Sequence, residues 1–195
     1  MSFKNATGQR LGMIQSIKTE ERQISAVTSL GKFKVTVYTP HVIRVVVTRD
    51  DSFEDFSYAL VASPEDTKIN VQNLDHHLII QTSALQLLIE KDPARFSFQT
   101  LEGKVINEDD ILGTSWIGEQ VTQYKKLQDG ERFLGLGEKT GNLDRRGHGY
   151  QNWNTDAYAY HAGTDPLYST NPSSLLSVNW MAFSFNLYWP FEGEL

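Results

Sequence analysis

Short runs in which apolar and polar residues alternate, separated by turn residues, make up most of the sequence before residue 131. In the run from Lys32 to Tyr38 the odd positions are apolar and the even positions mainly polar, which is the period of a strand with one buried face. Thr39-Pro40-His41 interrupts this run because proline cannot donate to a sheet ladder, and the β-branched run Val42 to Val47 follows. Many short strands with turns between them predict an all-β fold, an antiparallel two-sheet sandwich.

Further strands and turns are indicated later in the same region. Asp92-Pro93-Ala94-Arg95 has the composition of a type I turn, and Leu101-Glu102-Gly103-Lys104 is typical of a tight hairpin. We find no convincing amphipathic helix, and residues 107–113 have room for one short helical turn only. The additional strands are predicted at residues 69–72, 78–82, 84–90, 96–100 and 105–106.

The length and the charge of the chain exclude several classes of protein. A chain of 195 residues suits one domain and is too short for a sandwich plus a catalytic (β/α)₈ barrel, which alone takes about 250 residues. Lysine and arginine number 18 against 24 aspartate and glutamate residues, and the net charge of −6 argues against binding to nucleic acid or to anionic membranes. The sequence has no cysteine, no signal-peptide-like start and no stretch long enough to span a membrane, which fits a cytoplasmic location.

Three groups of residues resemble ligand sites only superficially. The acidic run at residues 50–56 lacks the ordered ligand spacing of a calcium loop, so we interpret it as a solvated loop. His76 and His77 are adjacent, and adjacent strand residues point to opposite faces, so they cannot chelate one ion together. Gly135-x-Gly137 lacks the third glycine and the following helix of a dinucleotide-binding loop. The sequence therefore predicts no metal site and no cofactor.

The stretch from Glu131 to Pro172 has a different character from the residues before it. Phe133 to Gly137 indicates a short buried strand with two positions that lack side chains, where another backbone or a ligand can come close. A long loop rich in tyrosine, glycine and polar residues follows. Long loops in compact domains are usually functional or disordered, and this one is too aromatic to be disordered for compositional reasons. We therefore place the functional residues in this loop.

Four pieces of this stretch occur in a characteristic order and spacing: Phe133-Leu134-Gly135-Leu136-Gly137-Glu138, Leu143-Asp144-Arg145-Arg146-Gly147, Tyr150-Gln151-Asn152-Trp153-Asn154-Thr155-Asp156 and Asp165-Pro166-Leu167-Tyr168. Taken together, they resemble the N-terminal domain of glycoside hydrolase family 31, the α-glucosidase and α-xylosidase family. The upstream residues agree more loosely, so the resemblance covers about Val27 to Pro172. It implies a sandwich of the galactose-mutarotase-like type with a long aromatic C-terminal loop. We expect a flexible N-terminus at residues 1–13, the sandwich domain at residues 14–172 and an atypical apolar tail at residues 173–195.

The resemblance also implies that this chain carries no catalytic residue. Glycoside hydrolysis needs two carboxyl groups beside the scissile bond. The loop contains four candidate carboxyl groups, those of Glu138, Asp144, Asp156 and Asp165. In the family, however, both catalytic aspartates lie on the barrel. The family's nucleophile sequence, Trp-x-Asp-Met-Asn-Glu, is absent here. The chain is expected to end before the barrel and to be inactive alone.

The expected substrate-binding residues are Asp156, Trp153, Asn154 and Tyr158. In the family, the matching loop reaches the mouth of the barrel, and Asp156 matches an aspartate that accepts hydrogen bonds from sugar hydroxyls. A carboxylate suits this role because it can accept two hydroxyls in charge-assisted bonds, although Asp156 could instead be an ordinary turn residue. Trp153, Tyr158 and Tyr160 could offer flat faces to a sugar or cement the loop to the sandwich, and for Trp153 we favour cementing.

We expect the arginines and histidines of the loop to have structural or surface roles. Arg145 and Arg146 are expected to pair with Glu138 or Asp144 in a structural role. The lone histidines His148 and His161 are weak candidates for sugar contacts, since such loop histidines are usually polar surface.

After Pro172 the sequence departs from the family, which continues with phenylalanine, a strand and a hairpin towards the barrel. Loss of one nucleotide from a Pro-Phe-Phe codon run gives Pro-Ser-Ser, and reading Trp180-Met181-Ala182 one nucleotide earlier gives Leu-Asp-Gly. We hypothesise that Ser173 to Leu195 is a frameshift product and that the chain is a truncated family member. A parent gene that reads Ser-Ser-Leu-Leu in frame and continues past Leu195 would refute this.

The tail nevertheless has the pattern of a strand. Apolar residues alternate with smaller or more polar ones from Met181 to Trp189, so the segment can pair with its own sheet or with a neighbouring molecule. The sandwich face that meets the barrel in the family would also be exposed. Self-association into a homo-oligomer through apolar surface is therefore expected.

The resemblance leads to a main hypothesis and leaves two rivals open. The main hypothesis is a non-catalytic N-terminal domain of an α-glucosidase-like enzyme that hydrolyses α-linked oligosaccharides with retention, without a metal. Its partners would be that oligosaccharide and the catalytic barrel. The first rival is a free-standing carbohydrate-binding sandwich that needs Trp153 or Tyr158. The second is a mutarotase-like aldose epimerase that uses Glu138 with His148 or His161.

Overall fold

The computed structural model describes residues 8–53, 61–118, 120–176 and 181–184, which contain fourteen strands and no helix. The chain divides into two compact units, residues 1–126 and residues 127–195. In order, the strands are β1 (Gln9–Arg10), β2 (Ile14–Thr19), β3 (Gln23–Thr28), β4 (Gly31–Thr39), β5 (Val42–Thr48), β6 (Asn70–Asn73), β7 (His77–Gln81), β8 (Leu85–Lys91), β9 (Ala94–Thr100), β10 (Val105–Ile117), β11 (Gln120–Lys125), β12 (Phe133–Gly137), β13 (Thr170–Leu176) and β14 (Met181–Ser184).

The first unit is built from two antiparallel sheets. One has four strands in the order β2-β3-β4-β5, which is a meander of consecutive hairpins. The other has seven strands, in the order β1-β10-β9-β8-β7-β6 with β11 also paired to β10. The two-sheet antiparallel architecture predicted from the alternating pattern is confirmed.

The core of the first unit contains apolar side chains from both sheets. On β4 the odd-numbered residues Phe33, Val35 and Val37 are fully buried, as the alternation predicts. The ring of Phe33 meets Phe96 of β9 edge to face, with centroids 5.2 Å apart and planes at 89°. This geometry suits the quadrupoles of the two rings and links one sheet to the other. The other core residues are Leu11, Ile24, Ala26, Leu78, Ile80, Leu87, Ile89, Ala94 and Trp116.

Most predicted strands of the first unit lie within a residue or two of the observed ones, but one local prediction is wrong. The turn expected around Asp92 and Pro93 is present between β8 and β9, and the Asp92–Pro93 peptide is cis. The run at residues 107–113 belongs to β10 and contains no helical turn, and it bulges between Asp109 and Thr114. At one end of this bulge, the buried Asp109 carboxylate accepts the Phe96 N–H of β9 at 2.9 Å.

The sandwich begins earlier than the expected boundary at residue 14. Residues 1–7 of the predicted flexible N-terminus lie outside the described residues. Gln9 and Arg10 pair with Trp116 and Ser115 of β10, and the side chain of Leu11 is fully buried. Burial of a leucine side chain is worth about 1.5–3 kcal/mol, so Leu11 is part of the fold.

The second unit contains a three-stranded antiparallel sheet in the order β12-β13-β14. The strand predicted at Phe133–Gly137 is present, but it is half-buried to exposed instead of buried, because it forms an edge of the described sheet. Its register shifts between Gly135 and Gly137, where three consecutive residues have φ of 108°, 69° and 78°. The middle residue is Leu136, which adopts this left-handed conformation at a strain of about 1–2 kcal/mol.

The tail pairs within its own sheet, one of the two arrangements expected. Met181–Ser184 forms β14, whose residues pair with Ser173 to Leu176 of β13. Residues 185–195, which include the rest of the alternating pattern, lie outside the described residues. The expected domain boundary at residue 172 therefore falls inside β13.

Candidate functional site

The aromatic loop, residues 138–169, connects β12 to β13 and is closed at its base by backbone contacts. Glu138 N–H donates to the Ser169 carbonyl at 2.9 Å, next to the two strands. Further along, the Thr140 hydroxyl donates to the Thr164 carbonyl at 3.1 Å. Thr155 N–H donates to the carbonyl of Leu167, whose side chain is buried. The loop therefore has a defined conformation without regular secondary structure.

A buried ion pair joins three separate parts of this loop. The ammonium of Lys139 lies 2.8 Å from Asp165 Oδ1, and the lysine side chain is fully buried. The same ammonium donates to the Gln151 carbonyl, and Gln151 N–H donates to Asp165 Oδ2, both at 2.5 Å. Partial burial raises the pKa of Asp165, but the hydrogen bonds from Lys139 and Gln151 and the lysine charge outweigh it and hold the pKa below its ordinary value of 3.8.

Arg145 has the structural role that the sequence predicted, but with different partners. Its guanidinium donates to the carbonyls of Lys139 at 3.3 Å, Thr140 at 2.9 Å and Asn142 at 2.6 Å, and not to Glu138 or Asp144. The guanidinium carbon lies 5.3 Å from the centre of the Tyr150 ring, within the range of a cation–π contact. Arg145 thus holds the turn that follows β12.

Asp144 also serves the internal structure. Its carboxylate accepts the N–H groups of Arg146 at 3.1 Å and Phe133 at 3.2 Å, and it pairs with the Arg132 guanidinium at 3.3 Å. The backbone hydrogen bonds from Arg146 and Phe133, with a smaller contribution from the nearby arginine charges, lower the pKa of Asp144. The Arg146 guanidinium donates to backbone carbonyls, those of residues 128 and 131.

The four predicted substrate-contact residues all lie on the exposed side of the loop. Asp156 and Asn154 are exposed, and 95% of Tyr158 and 61% of Trp153 are accessible. The cementing role that the sequence favoured for Trp153 stays a prediction. Within the described part of the chain, no hydrogen bond or ion pair engages the Asp156 carboxylate, in contrast to Asp144 and Asp165.

A tyrosine pair that sequence reasoning missed braces the tip of the loop. The Tyr168 hydroxyl donates to the Ala157 carbonyl at 2.5 Å, and its ring meets Tyr160 edge to face with centroids 6.2 Å apart. Ala159, between Tyr158 and Tyr160, has φ of 54°, in the left-handed region. Tyr158 therefore protrudes from a tight, braced turn. Tyr168 was visible in the fourth matching piece, but nothing in the sequence indicates its contact.

The two loop histidines have local partners. His161 Nδ1 accepts the Gly163 N–H at 3.1 Å, which closes a short turn, and the His148 ring lies 6.4 Å from that of Tyr150. Among the residues that the structure describes, no three histidine, aspartate or glutamate side chains lie close enough together to hold a metal ion. The same residues include no helix of the length and apolarity needed to cross a membrane.

Residues 32–189 match the sequence profile of the glycosyl hydrolase 31 N-terminal galactose mutarotase-like domain. The chain belongs to this family. The match extends beyond Pro172, where the resemblance seen in the sequence ends, and takes in residues 173–189 of the tail. Part of the segment that we attributed to a frameshift thus lies within the family match, and its frameshift origin stays a prediction.

Relatives of this family 31 domain are larger enzymes. α-Glucosidase 2 of Bacillus thermoamyloliquefaciens is 27% identical over 165 residues, which are 83% of this chain and 21% of that enzyme. A family 31 dextranase of Flavobacterium johnsoniae, solved with isomaltotriose, superposes with a TM-score of 0.81 at 25% identity, over 86% of this chain and 21% of its own. The cycloalternan-forming enzyme of Listeria monocytogenes, solved with a pentasaccharide substrate, shares the fold with a TM-score of 0.71 at 15% identity, over 87% of this chain and 16% of its own. The chain therefore spans between 16% and 21% of the length of these relatives.

Membership confirms two predictions made from the sequence. The chain is an all-β sandwich of the galactose-mutarotase-like type, and it corresponds to the non-catalytic N-terminal domain of family 31 glycosidases. The structure separates the four candidate carboxylates of the aromatic loop into two groups. Asp144 and Asp165 are used in internal contacts, whereas Glu138 and Asp156 are exposed.

Proposed function

We propose that this family 31 domain works as part of an α-glucosidase-like hydrolase and supplies its aromatic loop to the sugar-binding pocket. Asp156 accepts hydroxyl groups of an α-linked oligosaccharide, Asn154 adds polar contacts, and Trp153 and Tyr158 present flat faces to the sugar. The parent enzyme cleaves the α-glycosidic bond with retention, and both catalytic carboxylates lie outside this chain. A cytoplasmic location and self-association through exposed apolar side chains remain parts of this proposal.

The observation that carries the proposal is an exposed, unengaged carboxylate on a braced loop. Side chains that point into solvent usually have no fixed position, but the backbone around Asp156 is held by the bond between Thr155 and Leu167 and by the Tyr168 brace. A carboxylate held in this way can accept two neighbouring hydroxyls without first ordering the loop. The relatives support a saccharide ligand, since their names include an α-glucosidase, a dextranase solved with isomaltotriose and an enzyme solved with a pentasaccharide.

The test is a chimera in which this chain replaces the aligned N-terminal segment of the Bacillus α-glucosidase. In that chimera, we expect Asp156→Asn to lower kcat/KM for isomaltose about tenfold to a hundredfold, because a hydrogen bond to a charged group is worth about 1.5–3 kcal/mol. The measurement is steady-state kinetics of the two chimeras side by side.

The matched control is Asp129→Asn, the same chemical change at an exposed aspartate outside the loop. It should leave kcat/KM within about twofold of the parent chimera. Equal activity of the Asp156→Asn chimera and its parent would refute the role of Asp156. An equal loss in the Asp129→Asn chimera would show that the effect is not specific to the loop.

A further inference from the structure

We propose that Lys139 is the positioning residue of the aromatic loop, which it holds in place by tying Gln151 and Asp165 to the end of β12. The consequence for sugar binding rests on the function proposed above, but the positioning itself does not. Lys139 follows the last strand residue, Gly137, by two positions, and its neighbour Glu138 donates its N–H to the Ser169 carbonyl at the base of the loop. Its side chain is fully buried and reaches two distant segments of the loop.

The contacts of Lys139 make the three segments depend on one another. Asp165 lies 26 residues further along the chain and Gln151 lies 12 residues further. A buried ammonium is strongly unfavourable unless it is paired and hydrogen-bonded. Lys139 can therefore stay buried only while both acceptors are in place. Asp165 also accepts the Gln151 N–H, so that Lys139, Gln151 and Asp165 form a triangle of mutual contacts. Loss of any one member leaves the other two with unmatched polar groups.

The position of this triangle explains its effect on the proposed sugar contacts. Gln151 and Asp165 bracket the segment that contains Trp153, Asp156 and Tyr158. The segment has further braces near its tip, but Lys139 connects its two ends to the sheet. Because rigid positioning lowers the entropy lost on binding, fixing both ends prepares the exposed side chains for a ligand.

The test uses the full chain and the variant Lys139→Met, which keeps most of the side-chain length and removes the charge. Hydrogen exchange is measured by mass spectrometry, together with the rate of chymotryptic cleavage after Tyr158 and Tyr160. We expect exchange in residues 151–165 and the cleavage rate to rise at least tenfold, while the β12 amides stay protected. Lys104→Met, at an exposed lysine of the first unit, is the control and should change neither quantity.

A pH series separates positioning from a general packing defect. Lys139 is the charged group in contact with Asp165, and the pKa of Asp165 is lowered in the folded chain. Such a group contributes stability that is present above its unfolded pKa and is lost as the pH falls through its folded pKa. The wild-type loop should therefore lose protection below about pH 4, after correction for intrinsic exchange. Asp165→Asn should be less protected at neutral pH and show no such step.

Three results would overturn the proposal. Unchanged exchange and cleavage in Lys139→Met would show that the loop does not depend on the ion pair. Loss of protection in β12 together with the loop would make Lys139 a residue that stabilises the whole unit. If the loop of Asp165→Asn still lost exchange protection below about pH 4, the titration would belong to another group. No sugar enters these measurements, so their outcome is independent of the chimera experiment on Asp156.

Discussion

Replacing Phe33 with alanine should lower the free energy of unfolding of the first unit by about 3–5 kcal/mol. The side chain is fully buried and meets Phe96 of the other sheet edge to face. Its removal costs the transfer energy of the ring, the cavity that remains and the aromatic contact between the sheets. A domain of this size has about 5–15 kcal/mol of stability, so the variant should be close to the limit of folding.

The measurement for Phe33→Ala is native-state hydrogen exchange of the β8 amides, which report opening of the first unit separately from the second. Val27→Ala is the matched control, since Val27 is an exposed apolar residue of the neighbouring strand β3. That change should stay within about 0.5 kcal/mol. A loss below about 1 kcal/mol in Phe33→Ala would show that the two sheets are not held together by this core.

Removing the carboxylate of Asp109 should cost a similar amount, about 3–5 kcal/mol, although Asp109 lies outside the apolar core. The carboxylate is fully buried and accepts the Lys125 ammonium at 2.6 Å, the Gln123 amide at 2.7 Å and the Phe96 N–H at 2.9 Å. In Asp109→Ala, these three donors lose an acceptor whose side chain is fully buried. The same exchange measurement on β8 and β9 gives the change in free energy.

The control for Asp109 is a neighbouring ion pair at the surface. Lys126 and Glu108 lie 3.3 Å apart, and half of the lysine side chain is exposed. Lys126→Ala should cost no more than about 1 kcal/mol, because exposed pairs are solvated and screened. If Lys126→Ala proves as damaging as Asp109→Ala, the stabilisation would not depend on burial, and our account of Asp109 would be wrong.

Local pattern was sufficient to predict the strands of the sandwich. From Lys32 to Val47, apolar alternation, a proline break and a β-branched run all indicate the same hairpin, and β4 and β5 occupy those residues. The bulge in β10 was not predictable in the same way, because Asp109 is acidic and looks like a surface residue until its three partners are known. Leu11 was missed because β1, the strand before it, has only two residues.

The candidate site was located by its resemblance to a family, and its internal order was not predictable from sequence. The resemblance singled out Asp156, but it gave no internal partners for Asp165 and did not indicate which backbone groups the Asp144 carboxylate accepts. The internal order depends on contacts such as the one between Lys139 and Asp165, 26 residues apart in a loop without periodicity. The sequence also favoured a cementing role for Trp153 because tryptophan is usually well buried, whereas here most of its side chain is exposed.

The most direct test of the central claim is to assay the purified chain for turnover of p-nitrophenyl α-glucoside and to titrate it calorimetrically with maltose and isomaltose. We predict no turnover and no measurable binding, because the proposed function places the catalytic carboxylates outside this chain and gives the loop only one side of the pocket. Micromolar binding without turnover would identify an independent carbohydrate-binding domain. Turnover that survives repurification and disappears in Asp156→Asn would contradict the account, since the chemistry would then lie in this chain.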